Sequence, residues 1–389
     1  MNKDTLLATI GTAPEDHSGV VNIPVYRGST ILFPNYAEFD KAENGTQPRV
    51  TYGRYGTRSS VELQDSIAAL DGADHAIVTA SGLSAIVIAL LTFLKHGDHV
   101  LMVDNTYGCT RRFCDAELKR AGVETTYYDP TIGAGIAALI KPNTKVVYVE
   151  SPGSLTFEVQ DIPAIAKAAH EKGCVVIGDN TWGTPLYMDA FGLGMDVSIH
   201  SATKYIGGHS DLVMGVITCK KEHYVPLWRT FRNTGACASA DNCYLAQRGL
   251  RTMGVRLKQH FENAMTVAKW LKARKDVEAV LYPALPGAPG HELWKRDFSG
   301  ACGLFSIVLK EPATQEALAH MMDHMDYFGM GYSWGGYESL MVTISPQKSR
   351  SATKWPYNGQ AFRLHIGLEN PDDLIRDLER GLERLRQTA

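Results

Sequence analysis

Short apolar runs alternate with helical patterns along residues 58–219, and this alternation is the strongest constraint on the fold. Several of these runs are apolar without interruption, which is typical of strands covered on both faces in a parallel sheet with helical crossovers. The sequence therefore predicts an α/β fold. The predicted strands lie at 75–80, 99–103, 123–128, 144–150, 174–179, 196–200 and 212–219. The predicted helices between them lie at 61–70, 83–95, 111–120 and 162–172.

The chain divides into three predicted parts around this alternating region. Residues 1–57 show little periodicity and combine turn signals with aromatic and basic side chains, which predicts an arm that contacts a neighbouring subunit. Residues 58–250 form the predicted α/β domain. Residues 251–389 form a predicted smaller α+β domain. A long helix is predicted at 245–275, two strands at 303–309 and 362–366, and an amphipathic helix at 371–385.

Charge and hydropathy exclude several classes of protein. A formal net charge of −3 gives no electrostatic reason to expect nucleic acid or an anionic membrane as a partner. The longest apolar run, residues 86–94, is much shorter than the roughly 20 residues of a membrane-spanning helix. The N-terminal Met-Asn-Lys-Asp does not begin a signal peptide, so we expect a cytoplasmic protein.

Cysteine and histidine spacing predicts neither a disulfide framework nor a metal site. The seven Cys, an odd number without a C-x-x-C pair, predict reduced thiols. His320 and His324 have the i, i+4 spacing of two metal ligands on one helix face, but no third ligand accompanies them. We therefore expect two ordinary surface histidines at these positions.

Asp179 and Lys204 form the pair with the clearest chemical meaning. Asp179 ends a predicted strand, and ligands of open α/β sheets bind at the carboxyl ends of strands. Lys204 follows 25 residues later, in Ser201-Ala-Thr-Lys. In pyridoxal phosphate (PLP) enzymes, an acidic residue keeps the pyridine nitrogen protonated and a lysine forms an imine with the cofactor. Ser201 and Thr203 supply hydroxyls for the phosphate, so the pattern favours a PLP site over the alternative, a surface lysine.

Three further positions fit such a site, each with a structural alternative. Gly82 and Leu83 begin a predicted helix whose free N–H groups can bind phosphate, or Ser81 simply caps the helix. Tyr107 follows a strand and can stack on a flat cofactor, or it is a packing residue. Arg363 lies in a strand-like run and can bind a carboxylate, or it pairs with a local acid on an edge strand.

A second motif points to a different cofactor but fails on its context. Gly133, Gly135 and Ala138 match the G-x-G-x-x-A of dinucleotide-binding folds, and Glu150 ends the next strand. However, Asp129-Pro-Thr breaks the tight strand-to-helix turn that this motif requires, and the helical stretch has only about seven residues. We therefore do not expect a nicotinamide-dependent dehydrogenase.

Residues 196–211, Asp-Val-Ser-Ile-His-Ser-Ala-Thr-Lys-Tyr-Ile-Gly-Gly-His-Ser-Asp, resemble the signature of the Cys/Met-metabolism PLP-dependent enzymes. Four further motifs follow in the order of that family: Tyr52-Gly-Arg54, Ser81-Gly82, Asp179-Asn-Thr and residues 363–369. The resemblance extends from about residue 20 to the end of the chain. It implies an aspartate-aminotransferase-like fold (fold type I of PLP enzymes), with a mixed, mostly parallel sheet in the large domain. It also implies a homotetramer of two active dimers.

The resemblance implies a role for each candidate residue. Lys204 is expected to bond to PLP and to act as the base, Asp179 to pair with the ring nitrogen, and Tyr107 to stack on the ring. Arg363 is expected to bind the substrate carboxylate. The remaining implied roles are phosphate binding by Gly82, Leu83, Ser201 and Thr203, phosphate binding from the neighbouring subunit by Tyr52 and Arg54, and substrate contacts by Tyr52, Tyr107, Ser333 and Trp334.

Two segments, 150–154 and 331–340, resemble the family members that cleave cystathionine on the β side of sulfur. That reaction releases homocysteine, pyruvate and ammonia and belongs to methionine biosynthesis. Members that act at the γ carbon usually have Asn-Pro where Ser154-Leu155 stands and Leu where Trp334 stands. Cys109 departs from this pattern, because methionine γ-lyases have their active-site Cys at its position. Cleavage of methionine or cystathionine at the γ carbon therefore stays open, as does a non-enzymatic PLP-binding protein.

Overall fold

A seven-stranded sheet forms the larger part of the molecule. The computed structural model describes residues 1–45 and 48–387. The strands are β1 (His75–Thr79), β2 (His99–Val103), β3 (Glu124–Tyr128), β4 (Thr144–Glu150), β5 (Val175–Asp179), β6 (Val197–Ser201) and β7 (Gly215–Cys219). Their order across the sheet is β1-β7-β6-β5-β4-β2-β3. The predicted strands are confirmed with end shifts of three residues or fewer.

The sheet is parallel except at β7, which runs antiparallel to both β1 and β6. The pairs β2–β3, β2–β4, β4–β5 and β5–β6 are parallel. The connection between β6 and β7 contains no helix, whereas parallel neighbours need a crossover connection, usually a helix. The predicted mixed, mostly parallel sheet is therefore confirmed.

Helices cover both faces of this sheet. Along β2, Leu101 and Val103 belong to one buried hydrophobic cluster, and Val100 and Met102 belong to the other. This division explains the uninterrupted apolar run in the sequence, because neither face of the strand meets water. The helices of this part are α1 (Lys3–Thr9), α2 (Tyr36–Asn44), α3 (Arg58–Asp71), α4 (Gly82–Phe93), α5 (Gly108–Phe113), α6 (Ile162–His170), α7 (Thr184–Tyr187) and α8 (Lys221–Thr234).

A second, antiparallel sheet of four strands lies in the C-terminal part. Its strands are β8 (Val277–Leu281), β9 (Leu304–Leu309), β10 (Leu340–Ile344) and β11 (Ala361–His365), in the order β10-β11-β9-β8. The accompanying helices are α9 (Ala240–Lys272), α10 (His291–Asp297), α11 (Gln315–Met322) and α12 (Pro371–Gln387). The predicted smaller α+β region is confirmed. The predicted division at residue 250 lies inside α9, and the domain limits stay a prediction.

Several elements differ from the sequence prediction. Residues 1–57 contain α1 and α2, although their sequence shows little periodicity. The helix predicted at 111–120 is α5 followed by one wide π-helical turn, Cys114–Leu118. Helix α8 was not predicted; Pro226 lies inside it. Gly133 begins a 3₁₀ helix, Gly133–Leu139, so no α-helix begins at the dinucleotide-like motif.

His320 lies on α11, whereas His324 follows the end of that helix. The two rings are 5.4 Å apart, and the described residues contain no group of three or more potential metal ligands. Among residues 1–45 and 48–387, no helix is long and apolar enough to cross a membrane.

Candidate active site

A cavity of about 670 Å³ opens at the carboxyl ends of β4, β5 and β6, beside the N-terminus of α4. The end residues of these strands, Glu150, Asp179 and Ser201, all line it. Parallel strands end at the same edge of a sheet, so residues distant in sequence meet there. Nine of the predicted site residues line this cavity: Gly82, Leu83, Tyr107, Asp179, Ser201, Thr203, Lys204, Trp334 and Arg363.

Lys204 lies in the turn that follows β6, where its backbone N–H donates to the Ser201 carbonyl at 3.0 Å. Its Nζ donates to Ser333 Oγ at 2.8 Å and lies 5.1 Å from the centre of the Trp334 ring. Burial, and then the positive charge of Arg363, lower the pKa of Lys204 to about 8. The alternative of an ordinary surface lysine is wrong, because the side chain lines the cavity and contacts Ser333. With this pKa, about a tenth of the amine is neutral at pH 7, far more than for an ordinary lysine.

Asp179 and Glu150 are register partners on β5 and β4. Asp179 Oδ1 accepts the Thr181 N–H at 2.9 Å, whereas Glu150 Oε2 accepts the Tyr107 N–H at 2.7 Å and the Thr106 hydroxyl at 3.1 Å. Burial raises the pKa of both carboxyl groups, and the charge of Asp179 raises that of Glu150 further. Two adjacent buried carboxyl groups favour a cation or a proton at this end of the cavity.

The N-terminus of α4 is a ready-made anion site. Ser81 caps the helix by accepting the Ser84 N–H at 3.1 Å, and Gly82 and Leu83 line the cavity just inside the cap. A Cβ on Gly82 would come within 2.8 Å of the Ser201 side chain, so only glycine lets the helix approach β6 this closely. The cap and the predicted anion-binding position therefore occur together rather than as alternatives.

Thr203 reaches the same region but has a second partner. Its hydroxyl donates to the Met214 carbonyl at 3.2 Å and accepts the Met214 N–H at 3.0 Å. Binding an anion through this hydroxyl requires its proton to turn away from Met214. The Ser201 N–H donates to Thr181 Oγ1 at 2.9 Å, which ties the turn after β6 to the turn after β5.

Tyr107 precedes α5, and its side chain lines the cavity with 43% of its surface exposed. Burial of the remainder, and then a hydrogen bond with Cys109, raise the pKa of Tyr107 to about 12. The phenol is therefore protonated at neutral pH. The exposed fraction argues against a simple packing role.

Arg363 lies on β11, an inner strand of the second sheet. One guanidinium nitrogen, Nη2, donates to the carbonyls of Tyr332 and Ser333 at 3.1 Å each, whereas Nε is buried without a partner. No carboxylate of the described residues forms an ion pair with it, so the alternative of an edge-strand pair is wrong. A substrate carboxylate can occupy the free donors.

Comparison with known proteins gives the family. Residues 4–383 match the profile of the Cys/Met metabolism PLP-dependent enzymes. The chain belongs to this family. The Escherichia coli protein named cystathionine β-lyase is 41% identical to it, over 98% of each chain, and the Wolbachia pipientis protein named L-alanine/L-glutamate racemase is 43% identical, over 99% of this chain and 98% of the other.

A solved structure supports the same assignment. The cystathionine γ-synthase of Xanthomonas oryzae pv. oryzae, in complex with aminoacrylate and cysteine, has a TM-score of 0.89 with this chain. The identity is 28%, with all of both chains covered. The predicted family and fold class are therefore confirmed, and PLP is the cofactor that this family uses.

The cavity fits PLP at both ends. At one end, Gly82 lets the α4 N-terminus approach Ser201 closely, so its free N–H groups and the end of β6 form one anion-binding corner of the cavity. At the other end, Asp179 has a raised pKa and forms no ion pair with the described residues, and a protonated pyridine nitrogen would supply that partner. Lys204, with its lowered pKa, lines the same cavity. A helix N-terminus, a buried carboxyl group and an amine are the groups expected of a PLP site rather than of a metal site.

Three predicted site residues do not line the cavity of their own chain: Ser333, which still accepts a hydrogen bond from Lys204, and Tyr52 and Arg54. Tyr52 precedes the 3₁₀ turn Gly53–Tyr55 and is 45% exposed. Arg54 donates to the Arg232 carbonyl and to the Tyr55 hydroxyl. The contribution of Tyr52 and Arg54 from a neighbouring subunit stays a prediction.

Two charged residues of the cavity wall, Glu150 and Arg112, were not predicted as site residues. Glu150 has the same signal as Asp179, an acid at the carboxyl end of a strand, but neither the dinucleotide-like motif nor the resemblance of segment 150–154 predicts a role for it in a PLP site. Arg112 donates to Cys109 Sγ at 2.8 Å at the cavity wall. No sequence signal marks this pair, because the contact forms only when α5 folds.

Proposed function

We propose that this PLP enzyme is a carbon–sulfur lyase that cleaves L-cystathionine on the β side of sulfur, giving homocysteine, pyruvate and ammonia. One observation carries the proposal: Lys204, with its pKa lowered to about 8, lies between the Ser333 hydroxyl and the Trp334 ring in a cavity that also holds Arg363. A base and a carboxylate-binding group are thus available to one amino acid. The identity to the Escherichia coli β-lyase supports the choice of substrate.

When bound, PLP supplies a conjugated ring that withdraws electrons from the substrate Cα. The chain would hold it at two ends. Gly82, Leu83 and Ser201 would bind the phosphate, with Thr203 after its hydroxyl turns. Asp179 would keep the ring nitrogen protonated, which favours electron withdrawal.

The chain's own residues perform the proton transfers. Arg363 orients the substrate by its carboxylate, and Ser333 holds Nζ of Lys204 in place. Lys204 takes the Cα proton, the C–H electron pair forms the Cα–Cβ double bond, and the Cβ–S bond breaks. The same Nζ returns the proton to the leaving sulfur, which gives homocysteine. The remaining 2-aminoacrylate, once released, tautomerises to the imine and reacts with water to give pyruvate and ammonia. Tyr107, protonated at neutral pH, orients the ring rather than serving as the base.

Residues around the β carbon favour this outcome over γ cleavage. Trp334 lies in the cavity wall next to Lys204, so its ring leaves less room for the Lys204 side chain to move toward the γ carbon of the substrate. Leu155 has a φ of 65°, which proline cannot adopt, so the loop after β4 differs in backbone from one that carries Asn-Pro. Cys109 remains the feature shared with methionine γ-lyases.

Product analysis tests the proposal. The PLP-loaded protein should convert L-cystathionine to equal amounts of pyruvate and homocysteine, detected by mass spectrometry. Formation of 2-oxobutyrate and cysteine would assign γ cleavage instead. Binding of PLP with no product from cystathionine, cystine or methionine would support the non-enzymatic alternative.

A second activity, amino-acid racemisation, is favoured by one pair of residues. Lys204 and Tyr107 line the same cavity, and racemisation needs proton donors and acceptors at Cα. The Wolbachia relative supports it. Deuterium incorporation into L-alanine in D₂O, followed by chiral analysis, measures it; retained L configuration with complete exchange would exclude racemisation.

We also propose a cytoplasmic homotetramer of two active dimers. The support is the position of Tyr52 and Arg54 outside their own cavity, together with the exposed apolar side chains of the N-terminal segment, among them Leu32 at 87%. An arm with such a surface is suited to bind a second copy. Sedimentation equilibrium would measure the assembly.

A further inference from the structure

His365 ends β11 and is fully buried, two residues after Arg363. Residues two apart on a strand project to the same face, so His365 stands beside the carboxylate-binding arginine. It does not line the cavity. Its ring packs against Tyr205 and His260, with ring centres 5.9 and 5.3 Å away.

Both ring nitrogens of His365 hold the backbone of the segment 331–338. The Gly335 N–H donates to Nε2 at 3.0 Å, so Nε2 carries no proton. Nδ1 lies 3.0 Å from the Glu338 carbonyl oxygen, so Nδ1 must be the donor. The two partners therefore select the neutral ring with its proton on Nδ1. Burial first, and then His260, hold the pKa of His365 well below its ordinary range, which agrees with this assignment.

The backbone that His365 holds is the one that touches the reacting groups. Gly335 has a φ of 87°, and a Cβ there would lie 2.9 Å from Cα of Lys204. Ser333 Oγ accepts from Nζ of Lys204 at 2.8 Å, and the Ser333 carbonyl accepts from Arg363. Segment 331–338 thus contacts both Lys204, the base, and Arg363, the carboxylate-binding group. A shift of Gly335 must move Ser333 relative to both.

We propose that His365 is a positioning residue: the Glu338 carbonyl keeps the ring proton on Nδ1, which leaves Nε2 to accept the Gly335 N–H, and this second bond fixes Ser333 and Trp334 so that an amino-acid substrate is held correctly between Arg363 and Lys204. The inference deepens the proposed function and rests on it for the identity of the substrate. The hydrogen-bond geometry itself does not depend on which sulfur amino acid binds.

Two substitutions separate the two hydrogen bonds of His365. In His365→Gln, the side-chain amide reaches the position of Nε2 and can accept the Gly335 N–H, while the donor to Glu338 is lost. In His365→Asn, the shorter amide reaches the position of Nδ1 and can donate to Glu338, but it does not reach Gly335. The two variants are therefore matched in polarity and differ in which bond they keep.

The experiment measures hydrogen exchange in residues 331–339 and the affinity of the PLP-loaded protein for glycine, read from the visible spectrum of the cofactor. In His365→Asn, we expect the backbone N–H groups of residues 331–339 to exchange faster. We also expect this variant to bind glycine roughly three- to tenfold more weakly, which is the effect of one lost hydrogen bond. His365→Gln should stay close to the native protein in both. KM for cystathionine should follow the glycine affinity, while kcat changes less.

Equal impairment of the two variants, or native exchange and glycine affinity in both, would overturn the positioning role and leave His365 a packing residue. The native protein could fail to turn over cystathionine while the two variants, His365→Asn and His365→Gln, still differ in hydrogen exchange and glycine affinity. That result would reject the proposed substrate and support the role of His365. Melting temperatures of both variants exclude global unfolding as the cause.

Discussion

The two residues with the clearest chemistry, Lys204 and Asp179, could be predicted because each lies in a local motif at the end of a strand. The roles of Glu150 and His365 could not be predicted in the same way. Glu150 contacts the Tyr107 N–H, and His365 contacts the Gly335 N–H, across 43 and 30 residues of sequence. Neither partner is visible in the local pattern, because each contact joins the end of a strand to a loop beside the neighbouring strand of the same sheet.

The lowered pKa of Lys204 predicts how fast the PLP-free protein captures its cofactor. Only the neutral amine attacks the aldehyde, so a pKa of about 8 instead of 10.5 makes the rate rise with pH and level off above about 8. Stopped-flow absorbance of PLP binding between pH 6 and 11 measures this profile. A rate that continues to rise through pH 10 would contradict it.

Two substitutions control the interpretation of that profile. Arg363 lowers the pKa of Lys204, so Arg363→Met should move the midpoint upward. Asp179 raises it, so Asp179→Asn should move the midpoint downward. Unchanged midpoints in both variants would show that burial alone, rather than these charges, controls the pKa of Lys204.

Helices and strands of the large sheet were predicted well, because a strand buried on both faces leaves an uninterrupted apolar run. The direction of β7 was not visible, since a run of apolar residues looks the same in both directions. The elements that the sequence did not predict are partly exposed or interrupted. Strand β10 is only partly buried, and helix α8 contains Pro226. Tertiary packing, rather than local pattern, stabilises these elements.

The backbone of Leu155, in the loop after β4, predicts different effects of proline and glycine at this position. Leu155 has a φ of 65°, which costs a non-glycine residue about 1 kcal/mol or more and which the proline ring forbids. Leu155→Pro should lower the free energy of unfolding by about 3 kcal/mol or more, or shift the loop. Leu155→Gly should stay within about 1 kcal/mol of the native value, because relief of strain offsets lost packing. Urea unfolding of the PLP-free protein measures both.

Equal stability of the proline and glycine variants would show that the left-handed conformation of Leu155 is not maintained in solution. The product ratio of the proline variant adds a second readout. If the backbone of this loop disfavours γ cleavage, a folded proline variant should form more 2-oxobutyrate than the glycine variant does.

At the scale of the whole molecule, Tyr52 and Arg54 do not line the cavity of their own chain, and in the proposed dimer they would complete the site of the second copy. This predicts complementation between two inactive proteins. Lys204→Ala removes the base and Arg54→Ala removes a residue supplied to the neighbour. In a mixed dimer, one site combines native Lys204 with native Arg54 from the other chain. Random mixing by co-expression should restore about one quarter of the native sites.

Activity in the mixture that does not exceed the sum of the two separate proteins would contradict the exchange of Arg54 between subunits. The same preparation checks assembly, because the restored activity should follow the fraction of mixed dimers resolved by a tag on one chain. A double variant, Arg54→Ala with Lys204→Ala, co-expressed with the native protein, is the matched control. Its mixed dimers have no complete site, so activity should fall to the quarter of sites that lie in native homodimers, below the half that simple dilution gives.

The central claim is that Lys204 performs β elimination on cystathionine, and one measurement tests it most directly. Products of ¹³C-labelled L-cystathionine would be followed by NMR with the native protein and with Lys204→Ala, both saturated with PLP. The native protein should form labelled pyruvate with homocysteine. The variant should lose the visible absorbance of the lysine-bound cofactor and at least about 10³-fold of turnover, because both the base and the covalent attachment are removed. Labelled 2-oxobutyrate as the main native product, or near-native turnover by Lys204→Ala, would contradict this account.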